Sequence, residues 1–472
     1  MGDLKPVDVA FETRLRAVLP DPVFRPLTPA YQEEPRGLFR GAGGLVLAPS
    51  SVDEVATIIR ECAASRVPVV PFGGGTGLVG GQVMPDAAPV ILSLERMAKI
   101  RAVHPSENVL IAEAGAVLAD IQAAADEVDR LFPLSLASEG SCRIGGCLST
   151  NAGGVNVLRY GSARDLCLGV EAVLPDGSIH HGLKRLRKDN TGFDLRALLC
   201  GAEGTLGVIT AASLRLFPQP ARQGTALLTV RNPSAALDML AMAQARLGQG
   251  ISAFELIKGT GLDFLRIADL GGAQPFAARP DWSVLIDLGL GAGQDPEAEL
   301  ATLFADAARA GLTDDGVIAQ SEGQRAAFWK LREDIPLANR AIGVISSHDI
   351  SLPLSAIPTF LSEADSALAQ LGPFRVNAFG HLGDGNLHYN VFPPEGQTVA
   401  AYADRRQRVR SIVYDLVQSY AGSFSAEHGI GRLKPEELNR YGDPARLVAM
   451  RAIKDALDPC GIMNPGVIFS SA

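Results

Sequence analysis

Four of the chain's seven histidines lie in its last third, and two of them are spaced for chemistry. The segment His381-Leu-Gly-Asp-Gly-Asn-Leu-His388 places two imidazoles on either side of a Gly-Asp-Gly bend, and Glu427 and His428 stand side by side further along. Two histidines and a glutamate form a standard ligand set for a divalent metal, with open positions for substrate and water. Two core or surface histidines and a loop glutamate remain the alternative on spacing alone. A zinc protease is disfavoured because the sequence has no His-Glu-x-x-His helix.

Three glycine-rich stretches, at 73–81, 140–154 and 201–207, form a second candidate group. Glycines let the backbone approach a ligand closely, and successive N–H groups can point at one anion. Three clusters would therefore suit a long ligand with a diphosphate, although tight turns remain the alternative. A Rossmann or P-loop site does not fit, because no helix opens on the first stretch and no Gly-Lys-Ser/Thr follows it. We expect a nucleotide diphosphate held by loops between strands.

Short elements must position the glycine-rich stretches. The pattern predicts a helix over 51–66, begun by a Ser51/Glu54 capping box, and then a strand over 67–72. Further predicted elements are strands over 89–94, 109–115 and 208–216, a helix over 117–131 and a hairpin that turns at 175–177. Pro218 and Pro220 indicate a domain boundary.

Beyond residue 225, strand-like and helical runs alternate. The predicted strands cover 225–230, 252–256, 283–288, 344–351, 374–379 and 386–392. The predicted helices cover about 233–246, 297–310, 322–334, 354–370 and 398–420. This pattern indicates a sheet with helices packed on it, an α+β arrangement.

Composition narrows the classes of function. The chain has 472 residues with 43 basic and 52 acidic side chains, a net charge of −9 and no basic block, so nucleic acid is not an expected partner. The six cysteines form no CxxC pair and are expected to be reduced. We see no apolar stretch of membrane-spanning length and no signal-peptide core, so the expected location is cytoplasmic, or peripheral at an inner membrane.

The glycine-rich stretches also resemble a known flavoprotein signature. PFGGGTGLVGG (71–81), PLSLASEGSCRIGGCLSTNAGG (133–154) and GAEGTLGVIT (201–210) are similar to the flavin-binding motifs of the vanillyl-alcohol oxidase / p-cresol methylhydroxylase superfamily. Over roughly residues 35–470 the chain most resembles its D-2-hydroxyacid dehydrogenase branch. The resemblance implies FAD bound by Pro71, Gly73, Gly74, Gly75, Thr76, Gly77, Ser138, Gly145, Thr150, Asn151, Gly154, Glu203, Ile209 and Asn464. Family members with covalent flavin use a His or Cys, often a His in the first loop; that loop has none here, so we expect non-covalent FAD.

The same resemblance implies a fold and a domain order. The fold class is α+β, with a p-cresol methylhydroxylase-type FAD-binding domain and a substrate domain whose antiparallel sheet is covered by helices. The implied order is an N-terminal segment 1–40, an FAD-binding domain 41–220, a substrate or cap domain 221–420 and a C-terminal segment 421–472 that returns to the FAD domain.

The histidine segments carry the implied catalytic residues. GHLGDGNLHYN and SAEHGIG resemble the metal motif of D-2-hydroxyglutarate and D-lactate dehydrogenases. His381, His388 and Glu427 match its metal ligands, with zinc as the first choice, and His428 matches its general base. A chelated cation would lower the pKa of the substrate hydroxyl, and His428 could then accept its proton. Asp384 is expected to be a turn residue.

Substrate recognition is where the chain departs from the hydroxyglutarate pattern. By resemblance, Arg332 in Phe328-Trp-Lys-Leu-Arg grips a carboxylate, and Asn390 and His428 also contact the substrate. The family has a Thr four residues after this Arg and a Lys two residues before a strand Asp, where this chain has Pro336 and Ser347. A monocarboxylate such as D-lactate, or an acid with an apolar tail, is therefore at least as well supported as D-2-hydroxyglutarate.

The expected activity is FAD- and metal-dependent oxidation of a D-2-hydroxy acid to the 2-oxo acid. An electron-transfer flavoprotein, a quinone or a cytochrome could take the electrons, and a homodimer is compatible with the sequence. The alternatives are an oxygen-reducing oxidase of the same fold, a non-catalytic subunit of a glycolate-oxidizing complex and a flavin-free metal hydrolase.

Overall fold

A computed structural model describes residues 4–272 and 274–470. The described chain is an α+β protein, which confirms the expected fold class. None of the helices in these two ranges is long and apolar enough to cross a membrane.

The chain forms two compact units. The first comprises the chain up to Gly154, Gly161–Gln219 and the chain from Glu427 onward. The second comprises Val155–Tyr160 and Pro220–Ala426. Each unit is therefore assembled from segments that are distant in sequence.

The described α-helices lie mostly between the strands and, near the C-terminal end of the described residues, follow the last strand. In chain order they are α1 (Val9–Val18), α2 (Val52–Ser65), α3 (Leu118–Asp126), α4 (Ile144–Ser149), α5 (Val157–Tyr160), α6 (Leu195–Leu199), α7 (Pro233–Leu247), α8 (Gly259–Ile267), α9 (Pro296–Arg309), α10 (Glu322–Ile342), α11 (Ile357–Leu371), α12 (Arg406–Ser419), α13 (Pro435–Tyr441) and α14 (Pro444–Leu457). Their starts follow local chemistry: Ser51 Oγ, for example, accepts the Glu54 N–H at 3.3 Å and caps α2 as the sequence predicts.

The first unit contains small sheets. Its strands are β1 (Phe24–Arg25), β2 (Leu45–Leu47), β3 (Val69–Phe72), β4 (Val90–Ser93), β5 (Ile100–His104), β6 (Val109–Glu113), β7 (Arg130–Leu131), β8 (Cys167–Val173), β9 (Ile179–Gly182), β10 (Val208–Arg215) and β11 (Phe217–Pro218). One sheet has the order β1-β2-β4-β3, in which β2, β4 and β3 are parallel. An antiparallel sheet has the order β5-β6-β10-β8-β9, and β7 pairs with β11.

A single antiparallel sheet dominates the second unit. Its strands are β12 (Arg222–Val230), β13 (Ile251–Lys258), β14 (Trp282–Leu290), β15 (Gly316–Ile318), β16 (Ser346–Ser351), β17 (Arg375–His381) and β18 (Asn386–Phe392). Their order is β15-β12-β14-β13-β17-β18-β16. Helices α8 and α10 pack on one face, where Phe264 and Ile335 join a buried core with Leu285 and Phe379. This is the expected helix-covered antiparallel sheet.

Two predicted helix boundaries are wrong. The helix predicted over 117–131 ends at Asp126, because Asp129 has a left-handed backbone (φ 56°) and Leu131 pairs with β11. The helix predicted over 322–334 continues through Pro336 to Ile342. Proline removes one helical hydrogen bond, but continuation buries Ala338 completely in the core, and this tertiary packing outweighs the local cost.

Other elements also differ from the sequence prediction, as three cases in the second unit show. Helix α8 and strand β15 were not predicted. The helix predicted over 398–420 begins as a 3-10 helix at Val399–Arg405 and becomes α-helical only at Arg406.

Candidate active site

The three glycine-rich stretches converge within the first unit. The first stretch follows β3, the second surrounds α4, and the third lies between α6 and β10. A Cβ on Gly74 would collide with the carbonyl oxygen of Ser141, so the first two stretches touch through backbone. The N–H of Glu203 donates to the Ser149 carbonyl at 2.8 Å, which joins the third stretch to the second. The convergence expected of a loop-held cofactor is therefore present.

Asn464 lies where the first and third stretches meet. Its Nδ2 donates to the carbonyl oxygens of Gly81 at 3.0 Å and Glu203 at 2.9 Å, and its own N–H donates to Val69 in β3. Its side chain is buried, and Oδ1 has no hydrogen-bond partner in the described structure. An orphaned acceptor among converging glycines fits a site that FAD would complete.

Gln82 holds the first stretch in shape, and sequence reasoning missed it. Its Nε2 donates to the carbonyl of Gly77 at 2.8 Å and to that of Gly75 at 3.2 Å. With these carbonyls held by the side chain, the loop has a fixed backbone. A glutamine one residue beyond a glycine-rich loop was the available signal.

Several other expected FAD residues shape the loops through their own bonds. The Ser138 carbonyl accepts from Cys142 N–H, Thr150 Oγ1 donates to Gly146, and Asn151 Oδ1 accepts from Arg164 N–H. The expected positions Pro71, Gly73, Thr76, Gly145 and Ile209 also lie in β3, in the glycine stretches or in β10.

Glu203 connects the third glycine stretch to the loop that follows His428. Its two carboxylate oxygens accept the N–H groups of Ile430 and Gly431, each at 2.8 Å. Burial raises the pKa of Glu203 to about 7, against the lowering effect of these two donors and of Lys434. The side chain of this expected FAD residue therefore orders the loop next to His428.

Glu427 lies against the second glycine stretch. Its Oε1 accepts the Gly154 N–H at 2.5 Å, and a Cβ on Gly153 would lie 2.6 Å from the same oxygen. His428 follows and is partly exposed. The chain passes from the second unit into the first between Ala426 and Glu427.

His381 and His388 belong to one hairpin of the second unit. His381 ends β17, His388 lies in β18, and Gly385 (φ 84°) makes the turn between them. Asp384 Oδ1 accepts the Asn386 N–H at 3.1 Å, a bond of the expected turn type. The two imidazole centroids are 5.6 Å apart, so the Gly-Asp-Gly bend brings the rings together.

Strand register places further polar residues beside these rings. Glu255 on β13 is opposite His381, and Asp349 on β16 is opposite His388. Residues directly opposite in antiparallel strands present their side chains on the same face. Because β13, β17, β18 and β16 are consecutive neighbours, two imidazoles and two carboxylates share one sheet face.

Each imidazole has a carboxylate near its Nδ1. His381 Nδ1 lies 2.6 Å from Glu255 Oε1, and His388 Nδ1 lies 3.8 Å from Asp349 Oδ1. A carboxylate within hydrogen-bonding distance of Nδ1, as at His381, favours the tautomer with the proton there and the lone pair at Nε2, as in metal-binding histidines. At His388 the 3.8 Å separation is too long for a hydrogen bond and leaves an electrostatic contact. The donor set therefore fits a divalent cation.

Arg332 of α10 reaches this face of the sheet. It is buried, its Nε donates to Glu255 Oε2 at 2.7 Å, and its guanidinium lies 4.8 Å from the Phe379 ring centroid. Burial raises the pKa of Glu255, but the charges of His381 and Arg332 outweigh burial and lower that pKa to about 2. Glu255 thus joins the arginine to one histidine.

Asn390 extends the polar face along β18. It is buried, two residues beyond His388, and lies opposite Ser347 of β16 and Asn377 of β17. Its Nδ2 makes a long contact, 3.4 Å, with the His388 carbonyl. Amide and hydroxyl groups therefore continue the face beyond the imidazoles.

Sequence reasoning did not assign Glu255 or the role of Asp349. Glu255 is the single acid within the apolar run Ile251–Ile257, and a charge in a buried strand needs a partner. That need was the signal, but the partners came from other elements.

Family comparisons agree with the converging loops. Residues 44–182 match the FAD binding domain family, and residues 219–468 match the C-terminal domain family of FAD linked oxidases. FAD as cofactor is confirmed, and these matches contradict the alternative of a flavin-free hydrolase.

Curated relatives cover most of the chain. It is 36% identical over 428 residues to the mitochondrial D-2-hydroxyglutarate dehydrogenase of Arabidopsis thaliana, covering 90% of this chain and 75% of the relative. It is 38% identical to the mitochondrial D-2-hydroxyglutarate dehydrogenase of Bos taurus, covering 90% and 77%. It is 36% identical to the D-2-hydroxyglutarate dehydrogenase of Xanthomonas citri pv. viticola, covering 90% and 89%.

Solved structures support the fold. p-Cresol methylhydroxylase with substrate bound aligns with a TM-score of 0.76 at 16% identity, covering 99% of this chain and 98% of that one. An alkyldihydroxyacetonephosphate synthase aligns with a TM-score of 0.71 at 18% identity, covering 98% and 86%. The domain matches and the curated relatives of this chain together show that it belongs to the family of FAD-dependent D-2-hydroxyacid dehydrogenases.

Proposed function

We propose that this dehydrogenase requires a divalent cation held by His381, His388 and Glu427, with His428 as the general base. The observation that carries the proposal is the shared sheet face, on which each imidazole has a carboxylate near Nδ1. Two histidines and a glutamate leave open positions in a zinc site, so zinc is the first choice.

Glu427 as third ligand is supported by its neighbours in the chain. The N–H of Ala426, the preceding residue, donates to the carbonyl of Asp349 at 3.2 Å, and Asp349 lies opposite His388. Consecutive Cα atoms are about 3.8 Å apart, so this bond restricts how far Glu427 can be from that strand pair.

His428 as base is supported by the order of its loop. The residue before it accepts from Gly154 N–H, and the loop after it is held by Glu203 through Ile430 and Gly431. A bound cation would lower the pKa of the substrate hydroxyl, and bound FAD would accept the hydride from C2. The imidazole of His428 would take the hydroxyl proton as general base.

Arg332 and Asn390 are the proposed substrate contacts. The guanidinium Nε is used by Glu255, so the terminal nitrogens are the donors for a substrate carboxylate. The substrate proposed first is a monocarboxylic D-2-hydroxy acid such as D-lactate, or a larger one with an apolar tail, because Pro336 and Ser347 offer no second cationic contact. D-2-Hydroxyglutarate is the second candidate, favoured by the names of the relatives.

The remaining proposals concern the flavin and its reoxidation. FAD is proposed to be non-covalent. Acid precipitation of the protein should therefore release the flavin into the supernatant. Electrons are proposed to pass to a carrier outside the chain, namely an electron-transfer flavoprotein, a quinone or a cytochrome. An oxidase of the same fold would instead form stoichiometric peroxide with oxygen as sole acceptor.

Anaerobic flavin bleaching against D- and L-2-hydroxy acids tests the activity. The panel should include lactate, malate, 2-hydroxyglutarate and a longer aliphatic acid, each with zinc-loaded and metal-stripped protein. We expect D-acids but not L-acids to reduce the flavin, and only in zinc-loaded protein. Reduction should be faster with D-lactate or the aliphatic acid than with D-2-hydroxyglutarate. Equal reduction by both enantiomers, or by stripped protein, would overturn the corresponding part of the proposal.

A further inference from the structure

We propose that Glu255 is a positioning residue that couples the metal site to the substrate-binding arginine, an inference that rests on the proposed function. One carboxylate oxygen lies 2.6 Å from His381 Nδ1, and the other accepts from Arg332 Nε at 2.7 Å. A single side chain thereby orients one ligand of the cation and the group that would hold the substrate carboxylate.

Because Glu255 is buried, its carboxylate needs a partner at each oxygen. The side chain is fully buried, with 0% exposure, so its charge must be matched by hydrogen-bonding partners. A carboxylate can accept from both sides at once, whereas an amide has only one acceptor oxygen and would turn an N–H group toward the second donor. The bridge therefore requires glutamate itself and not merely a side chain of its shape.

As a consequence, the proposed metal ligand His381 and the proposed carboxylate-binding residue Arg332 are both held by Glu255. Fixing the His381 tautomer leaves Nε2 as the coordinating atom, and engaging Arg332 Nε orients its terminal nitrogens beside the Phe379 ring. Because hydroxyl and carboxylate are neighbouring groups of a 2-hydroxy acid, their two binding groups must keep a fixed spacing. Glu255 sets that spacing.

The second unit supplies a matched comparison for a purely structural ion pair. Asp287 on the adjacent strand β14 is buried and accepts from Arg325, seven residues before Arg332 on the same helix α10. It also accepts from Thr225 and Trp329, and no histidine is among its described partners. Asp287 therefore shares the burial and the helix partner of Glu255 without its link to the proposed metal site.

The test compares Glu255→Gln with Asp287→Asn in flavin-loaded protein. For E255Q we expect Zn²⁺ affinity, measured by competition with a chelator, to fall about 10- to 100-fold, the usual scale for a partner of a metal ligand. In metal-free protein, affinity for propionate should fall about tenfold, since the variant loses the charge-assisted hydrogen bond from Arg332 to Glu255 that orients the guanidinium. D287N should lower the melting temperature and leave both affinities within about twofold of wild type.

A reciprocal variant keeps the test decisive if E255Q does not fold. Arg332→Lys should weaken Zn²⁺ binding severalfold because it releases Glu255, whereas Arg325→Lys should not. Wild-type Zn²⁺ affinity in E255Q and R332K would overturn this inference alone. Wild-type protein that binds no Zn²⁺ would overturn the metal assignment and this inference together. Tight Zn²⁺ binding without flavin reduction by any acid would overturn only the proposed substrate class.

Discussion

Glu427 and Gly154 are joined by a hydrogen bond of 2.5 Å from backbone N–H to carboxylate oxygen. Gly154 belongs to the second glycine stretch, and Glu427 is the proposed third metal ligand. The bond thus links the loop expected to contact FAD to the carboxylate expected to contact the cation. The orientation of the carboxylate should depend on that loop.

Gly153→Ala should weaken metal binding more than flavin binding. The new Cβ would lie 2.6 Å from Glu427 Oε1, closer than such contacts allow, so the carboxylate must move. We expect Zn²⁺ affinity to fall about tenfold or more, with FAD retained. Gly140→Ala is the control, because a Cβ at this exposed glycine meets nothing within 4 Å. Unchanged Zn²⁺ affinity in G153A would argue against Glu427 as a ligand.

His428→Ala should slow flavin reduction by roughly 100- to 10,000-fold, the usual contribution of a positioned proton acceptor. Substrate affinity should change much less, because the proposed metal ligands and Arg332 remain. Anaerobic stopped-flow reduction of zinc-loaded protein measures the rate, and exposed His181→Ala serves as control. A near wild-type rate would exclude His428 as the base and make buried His348 the next residue to test.

Chelation should abolish turnover and leave the flavin bound. The imidazole pair lies in the second unit and the glycine stretches lie in the first, so cation and FAD have largely separate ligands. After prolonged EDTA treatment we expect an intact flavin absorption spectrum, no bleaching by substrate, and recovery on adding Zn²⁺. Full activity in protein shown by elemental analysis to be metal-free would contradict the metal role.

Glu203 should make the protein less stable as pH rises from about 4.5 to about 7. Burial raises its pKa from the usual 4.5 to about 7, so the folded state binds more protons than the unfolded state in this window. Its ionisation would then lower the free energy of unfolding by up to roughly 3 kcal/mol above this window. Denaturant unfolding at both ends of the window should show a smaller change for Glu203→Gln. An equal pH dependence in the variant would show that Glu203 is not responsible.

Ser347→Lys combined with Pro336→Thr should raise activity toward D-2-hydroxyglutarate. Ser347 is directly opposite Asn390, a proposed substrate contact, so a lysine there would bring an ammonium group to the substrate side of the strand pair. We expect kcat/KM for D-2-hydroxyglutarate relative to D-lactate to rise about tenfold or more. The control is Ser355→Lys, because Ser355 is exposed. Ser346→Lys on the opposite face of the same strand cannot serve as a control, because Ser346 is buried. No change in the ratio would mean that these positions do not set specificity.

Sequence alone predicted the elements of the site better than the links between them. The glycine stretches and the His381/His388 hairpin have local signals, because turn chemistry and spacing act within a few residues. Glu255 could be recognised only as a lone charge in an apolar strand, since its partners lie on another strand and on α10. The continuation of α10 through Pro336 likewise could not be predicted from the sequence, because the packing that offsets the cost of the proline comes from the folded core.

The path of the chain also sets an order of events during synthesis. Residues 462–464 add to the edge of β3: Val69 N–H donates to the Ile462 carbonyl, and Asn464 N–H donates to Val69. The glycine stretches leave the ribosome hundreds of residues before Asn464 can join them. The second unit must therefore be translated, and is free to fold, while the cofactor site is still incomplete. FAD capture should follow translation of the C-terminal segment, and a nascent chain stalled before residue 460 should bind the flavin poorly even though all three glycine-rich stretches have emerged.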